Sequence, residues 1–325
     1  MDTAQFLVKL WGVRGSIPRP EIPQLMHQRI TRLLEDFSDS KKDVVGFLNS
    51  QPATSISGFG GNTTCIEVKS GDQRLVIDAG SGLRELGLNL LAGPLGRGQG
   101  EIHLLFTHFH WDHLIGLPFF IPIFLSGNTV HIHAVQPELE AIVRRLFERP
   151  YFPVDFSELS AKIVFHRMAP REKIKLQGFE VTPYELDHPD PCWGYRIEKG
   201  GRAYAHCVDS ECTRQTRDEL GPDLPLYQKV DLMLFDAQYT LTEAVDKANW
   251  GHAVASFGLD IALREGIERV LFAHHDPFAT AEKISAAETQ ARAYYDSRFE
   301  ELVKLGENPQ PVDWSFAVEG MEFGV

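Results

Sequence analysis

Cysteine is scarce in this chain: four residues in 325, at Cys65, Cys192, Cys207 and Cys212. None pairs as CxxC, and buried free thiols in a reducing cytoplasm are favoured over a disulfide or a zinc knuckle. Long hydrophobic runs are missing too. The longest, Leu114 to Leu125, holds two prolines and is too short to cross a bilayer, so no membrane partner is expected. The opening stretch, MDTAQFLVKLWGVRG, has no basic start followed by an apolar run, so no secretory signal is expected. Positive charge is in deficit, with 32 Lys and Arg against 45 Asp and Glu, a net −13. That disfavours nucleic acid as a general partner, because such binders rely on Lys and Arg to release counterions. A local basic pocket is still allowed. Sequence repeats and low-complexity linkers are absent. With 43% hydrophobic and 24% charged residues, the composition is that of a folded globular protein, not a disordered one.

Short β-type runs come first, at Phe6 to Trp11, Thr64 to Lys69 and Arg74 to Ile77. Residues 20 to 57 interrupt them and read as an insertion in a single domain spanning 1–325, with a helix-like piece around Gln24 to Phe37. From Ser81 onward, helices and strands alternate. Ser81 to Leu91, Pro137 to Phe147, Ala253 to Glu265 and a terminal Ala279 to Phe299 read as helices, Gly266 closing the third. Ile102 to Phe106, Thr129 to Val135, Lys162 to Phe165, Phe179 to Tyr184, Trp193 to Glu198, Arg202 to Ala205, Leu232 to Phe235 and Val270 to Ala273 read as strands. The pattern predicts an α/β fold of two sheets with helices on their outer faces. His131 and His133 alternate along one strand and read as part of a solvated face.

The stretch that carries chemistry is LFTHFHWDHLIG, Leu105 to Gly116. Here His108, His110, Asp112 and His113 fall within six residues, directly after an apolar strand. Imidazole and carboxylate are ligands that suit Zn, Mn or Fe. On an extended loop His108 and His110 project the same way, and Asp112 and His113 can turn to a second position.

This segment resembles the HxHxDH signature of the metallo-β-lactamase superfamily, and the resemblance runs from about Phe6 to Pro277. It implies an αββα four-layer sandwich of two mixed β-sheets, with two divalent transition-metal ions at one edge between them. It further implies that Asp78, in VIDAG, supports ligand histidines through a hydrogen bond. His188, in LDHP, becomes a ligand of the first ion, and Asp209, in CVDS, bridges both. The full set is His108, His110, His188 and Asp209 for one ion, and Asp112, His113, His274 and Asp209 for the other. His275 is the alternative to His274, while His206 and Asp187 have no counterpart and read as structural.

The segment around Gly251-His252 and Val270 to His274 resembles the C-terminal region of ribonuclease Z and of phosphoribosyl cyclic-phosphate phosphodiesterase. That makes His252 a catalytic residue beside the ions, together with Asp112. Ala253 departs from the Ser or Thr frequent in that motif. The glycine-rich stretches Gly12 to Pro18 and Gly58 to Thr64 either bring Arg14 or Asn62 to a phosphate or simply form turns.

The expected activity is a dinuclear metal-dependent phosphodiesterase. Its substrate is a small diester, cyclic ones included, attacked by a metal-bridging hydroxide. Zn or Mn leads as the metal, with Fe admitted. The alternatives are a ribonuclease Z-like tRNA-processing nuclease, a lactonase or β-lactamase-type acyl hydrolase, and a non-catalytic metal module. A homodimer is compatible with the sequence.

Overall fold

A computed structural model describes residues 5–325. The first sheet contains β1 (Leu7–Gly12), β2 (Cys65–Ser70), β3 (Gln73–Ile77), β4 (Glu101–Leu105), β5 (Thr129–Ala134) and β6 (Lys162–Arg167), side by side in that order. The second contains β7 (Ile174–Leu176), β8 (Phe179–Glu185), β9 (Trp193–Lys199), β10 (Arg202–Cys207), β11 (Leu232–Asp236), β12 (Arg269–Ala273) and β13 (Asp313–Phe316), again in order. A final strand, β14 (Glu322–Gly324), returns to the first sheet beside β1.

Pairing within the two sheets follows one scheme. Antiparallel strands lead to β3 and to β10, and from there β4 to β6 and β11 to β13 pair in parallel. The sequence explains the split. β1 alternates half-buried and buried residues, Val8, Leu10 and Gly12 pointing inward, whereas β11 is buried at every position, as parallel strands covered on both faces require.

Three apolar layers hold the sandwich. Val8, Leu10, Leu75 and Leu105 of the first sheet meet Val181, Tyr195, Ile197, Leu232 and Leu271 of the second. The helix Gly82–Leu90 covers the outer face of the first sheet through Leu83 and Leu86. Leu259 and Ala262 of the helix Ala255–Glu265, with Ile284 and Tyr295 of the long helix Ala281–Lys304, cover the second. Gly266, left-handed at φ +70°, ends the former. The architecture is the four-layer αββα sandwich expected.

Several expectations need correction. The helix from Ala281 is not terminal, since β13 and β14 follow it. Ser81 does not cap its helix. Its hydroxyl accepts from the Thr63 amide and donates to Asn62. His131 and His133 do not form a solvated face: they point between the sheets with Leu105 of β4, and His133 is buried. The helix expected around Gln24 to Phe37 is present as Pro23–Asp39, which buries no side chain, and two shorter helices, Val44–Leu48 and Ala53–Ser57, follow it within residues 20–57. Arg32 ties the first of these to Glu282 at the start of the long helix.

Candidate metal centre

The parallel strands of both sheets run into loops that converge on one edge. Beyond β3 stands Asp78, and beyond β4 the loop carrying His108, His110, Asp112 and His113. From the second sheet come Asp209 after β10, Asp236 closing β11 and His274 directly after β12. His188 lies in the β8–β9 connection, and His252 precedes the helix Ala255–Glu265. Asp78, Asp209 and His274 all take left-handed backbone angles, φ +61°, +62° and +63°. Such turns let a chain leaving a strand double back at the sheet edge.

Four overlapping groupings emerge at this edge, one of them Asp209, Asp236, His252 and His274, and two others separate the expected ligands. His108, His110 and His188 each bring a ligand atom within 4.8 Å of the others, as do Asp112, His113 and His274. Asp209 adjoins both, its Oδ2 3.0 Å from His113 Nε2 and 3.2 Å from His274 Nε2, and it forms a further set with His108 and His113. The cleft they open onto has a volume of about 240 Å³ and is lined by Ser16, His110, Trp111, Asp112, Asp209, His252 and His274. His274 thus lies in the group, while His275 turns away and donates from Nε2 to the Ala317 carbonyl at 2.7 Å.

The residues fit a metal ion on a simple test. His108 Nε2, His113 Nε2 and Asp209 Oδ2 are buried polar atoms with no hydrogen-bond partner among the described residues, and these three side chains offer ligand atoms within 4.8 Å of one another. Orphaned buried groups are costly, so their convergence calls for something to satisfy them. The charges agree. Burial alone would depress His274, but Asp209, the hydrogen bond to Asp112 and Asp236 outweigh it and lift its pKa to about 9. His113 is likewise held well above the ordinary histidine value, burial being overcome by Asp112, Asp209 and Asp78. The clustered carboxylates therefore demand positive charge nearby, which divalent cations supply.

Supporting contacts fix the ligand atoms. Asp78 accepts from the Thr107 amide at 2.9 Å, the Thr107 hydroxyl at 2.9 Å and His113 Nδ1 at 2.8 Å, which turns His113 Nε2 inward. Thr107 Oγ1 stands 3.0 Å from His108 Nδ1. Gln238 Oε1 accepts from His274 Nδ1 at 2.8 Å, and the Ser16 amide donates to Asp112 Oδ2 at 2.8 Å. Gly15 is required here, because a Cβ would stand 2.5 Å from the His274 ring.

Asp236 and Gln238 escaped the sequence reading. Asp236 is fully buried and accepts from the amides of Asp209, Gln238 and Ala253 and from His252 Nδ1 at 3.0 Å. One signal pointed to it: like Asp78, it is an acid ending a short apolar strand, here LMLF. Arg14 and Asn62 do not face the cleft. Arg14 donates to the carbonyls of Gly60, Asp276 and Ala279, and Asn62 to Glu319. Asp187 pairs with Arg214, and His206 Nδ1 with the Tyr204 hydroxyl at 3.1 Å. All four cysteines are buried and free.

A family profile described as "Beta-lactamase superfamily domain" matches residues 73–275. Among curated proteins, ribonuclease Z of Staphylococcus carnosus is 27% identical over 164 residues, covering 48% of this chain and 50% of that protein. The chain spans about half the length of several curated relatives it matches. Among solved structures, the metallo-β-lactamase fold protein YhfI of Bacillus subtilis superposes with a TM-score of 0.63 at 15% identity, covering 99% of both chains. A diphosphatase from the PhnP family gives 0.60 at 18% identity, covering 99% of this chain and 98% of the other. At such identities these likenesses establish a shared fold.

Proposed function

The chain belongs to the β-lactamase superfamily, and from that premise we propose that it is a metal-dependent phosphodiesterase acting on small phosphodiesters, cyclic ones included. His108, His110, His188 and Asp209 would hold one divalent ion, and Asp112, His113, His274 and Asp209 the second. Zn or Mn, with Fe as the third choice, suits this mixture of imidazole and carboxylate. When bound, the ions supply Lewis-acid polarisation of the phosphoryl oxygens.

His252 carries the reading. The two proposed ligand sets do not use it, although it offers a ligand atom within 4.8 Å of Asp209, Asp236 and His274, and it lines the cleft beside Asp209 and His274. Its Nδ1–H donates to Asp236, a contact that fixes the tautomer with Nε2 as the free ring nitrogen. A ring held this way can exchange a proton with the leaving oxygen or stabilise charge developing at phosphorus. An acyl hydrolase would have less use for it. The small cleft and the net charge of −13 favour a small diester over tRNA. The ribonuclease Z reading stays as the second, because the curated relatives carry that name. Four unpaired thiols suit a cytoplasmic location. Among the described residues no helix is long and apolar enough to cross a membrane.

The test is a hydrolysis panel on metal-loaded protein with bis-p-nitrophenyl phosphate, cyclic nucleotides, precursor tRNA, a lactone and a β-lactam. Small diesters should turn over best. His252→Ala should keep its metal and lose roughly 10²–10⁴ in kcat, with less loss for nitrophenol leaving groups, which need little protonation. Efficient removal of a tRNA 3′ trailer would reverse the ranking. Full activity of His252→Ala on every diester would sink the proposal.

A further inference from the structure

A second group of histidines lies at the opposite end of β4 from the cleft loop. Glu101 begins that strand, and Glu101, His103 and Leu105 share the face turned toward the second sheet. The register places His103 beside His131 of β5, and His133 of β5 beside His166 of β6. The rings stack as the register dictates, His103 on His131 at 4.5 Å and 8°, His133 on His166 at 4.4 Å and 11°. Four imidazoles and one carboxylate therefore occupy a single patch of sheet, apart from every residue assigned to the cleft.

We propose that Glu101, His103 and His131 bind a divalent first-row transition-metal ion such as Zn²⁺, independently of the cleft. Their ligand atoms lie within 4.8 Å of one another. Glu101 Oε1 is 2.9 Å from His103 Nε2 and 3.6 Å from His131 Nε2. Ligands of one tetrahedral ion at zinc–nitrogen and zinc–oxygen distances stand about 3.4 Å apart, so small side-chain movements suffice. The remaining ring nitrogens are already braced. His103 Nδ1 is 3.0 Å from His133 Nε2, and His131 Nδ1 is 2.8 Å from His166 Nε2. A ligand histidine is ordinarily oriented in this way, its outer nitrogen donating to a fixed acceptor.

One further observation points the same way. Gln177, at the β7–β8 turn of the other sheet, reaches across to Glu101 Oε1 at 3.0 Å and to His103 Nε2 at 3.2 Å. Its amide oxygen offers a fourth ligand once the group is turned. Access is open, the Glu101 side chain being half exposed. A bound ion would join β4, β5 and the β7–β8 turn, clamping the two sheets together.

The experiment compares full-length wild-type protein with Glu101→Gln and with the double variant His103→Asn/His131→Asn. Each is stripped with chelator and dialysed against Zn²⁺ alone, and the bound zinc is counted by mass spectrometry of the digested protein. The double variant should bind one ion fewer. Glu101→Gln, a conservative change at a half-exposed side chain, should weaken that ion at least about tenfold, since even an outer contact is worth 10–100-fold. The zinc-induced rise in Tm should shrink in parallel, while turnover of bis-p-nitrophenyl phosphate should stay within about twofold of wild type. Conversely, His108→Ala should still bind the Glu101 ion. Equal zinc counts and equal Tm shifts in wild type and Glu101→Gln overturn the proposal, as does loss of all zinc binding in His108→Ala. Neither result depends on what the cleft hydrolyses.

Discussion

Asp78 and Asp209 hold the same place in the two sheets. Each follows the strand at which antiparallel pairing gives way to parallel, β3 in one sheet and β10 in the other. Each is buried, at 0% and 1% exposure, and each has a φ near +60°. Their surroundings differ. Asp78 is filled with donors, from the Thr107 amide and hydroxyl and from His113. Asp209 Oδ2 has none among the described residues, although two histidine nitrogens stand 3.0 and 3.2 Å away. A saturated carboxylate braces its neighbours, and an unsaturated one is left to take a cation. Topology delivers both to the edge of the sandwich, and hydrogen bonding decides what each can do there.

Substitution of the two aspartates is the strongest way to break this contrast. Asp209→Ala should abolish metal binding at both proposed ligand sets and take activity to background, because Asp209 adjoins both. Asp78→Asn keeps the shape but cannot accept as strongly from His113. It should lower metal affinity or activity by roughly 10–100-fold, the range for a residue acting through a ligand. Comparable losses of bound metal in the two variants would erase the distinction.

Asp236→Asn should also fall in the range of roughly 10–100-fold, with a different signature. It disturbs the Asp209 amide and His252 together, so kcat should suffer more than metal content. The readout is a metal count beside steady-state kinetics on bis-p-nitrophenyl phosphate. Loss of metal matching that of Asp209→Ala would instead make Asp236 a ligand.

The two sheets were unequally legible. The first supplies four ligand candidates on one loop, and six consecutive residues are a pattern a sequence can show. The second scatters its residues over His188, Asp209, His252 and His274, which meet only because β8 to β12 lie side by side. Their assignment rested on family resemblance, and Asp236 and Gln238, outside any motif, were missed. The strands were legible where burial produced apolar runs or alternation. β7, β13 and β14, three or four residues each, gave no such signal. His131 and His133 were misread because alternation shows that two side chains share a face but not which face is covered.

The smallest expected effect concerns the rim, where the first-sheet loop contributes a group with no counterpart in the ligand sets. Trp111 lies between His110 and Asp112 on a single helical turn, Trp111–Leu114, which sends Asp112 inward. Its own side chain is 72% exposed at the mouth of the cleft. An exposed indole ring offers stacking to an aromatic leaving group or a nucleobase, worth roughly 0.5–1.5 kcal/mol beyond area burial. Trp111→Ala should therefore raise KM for bis-p-nitrophenyl phosphate about 2- to 10-fold and leave kcat nearly unchanged, since such a contact binds ground state and transition state alike. Trp111→Phe should recover most of the loss, and a dimethyl phosphodiester should not distinguish wild type from variant. A fall in kcat with KM unchanged would show that the indole shapes the Asp112 turn instead of meeting the substrate. Equal effects on aromatic and methyl diesters would remove the stacking argument.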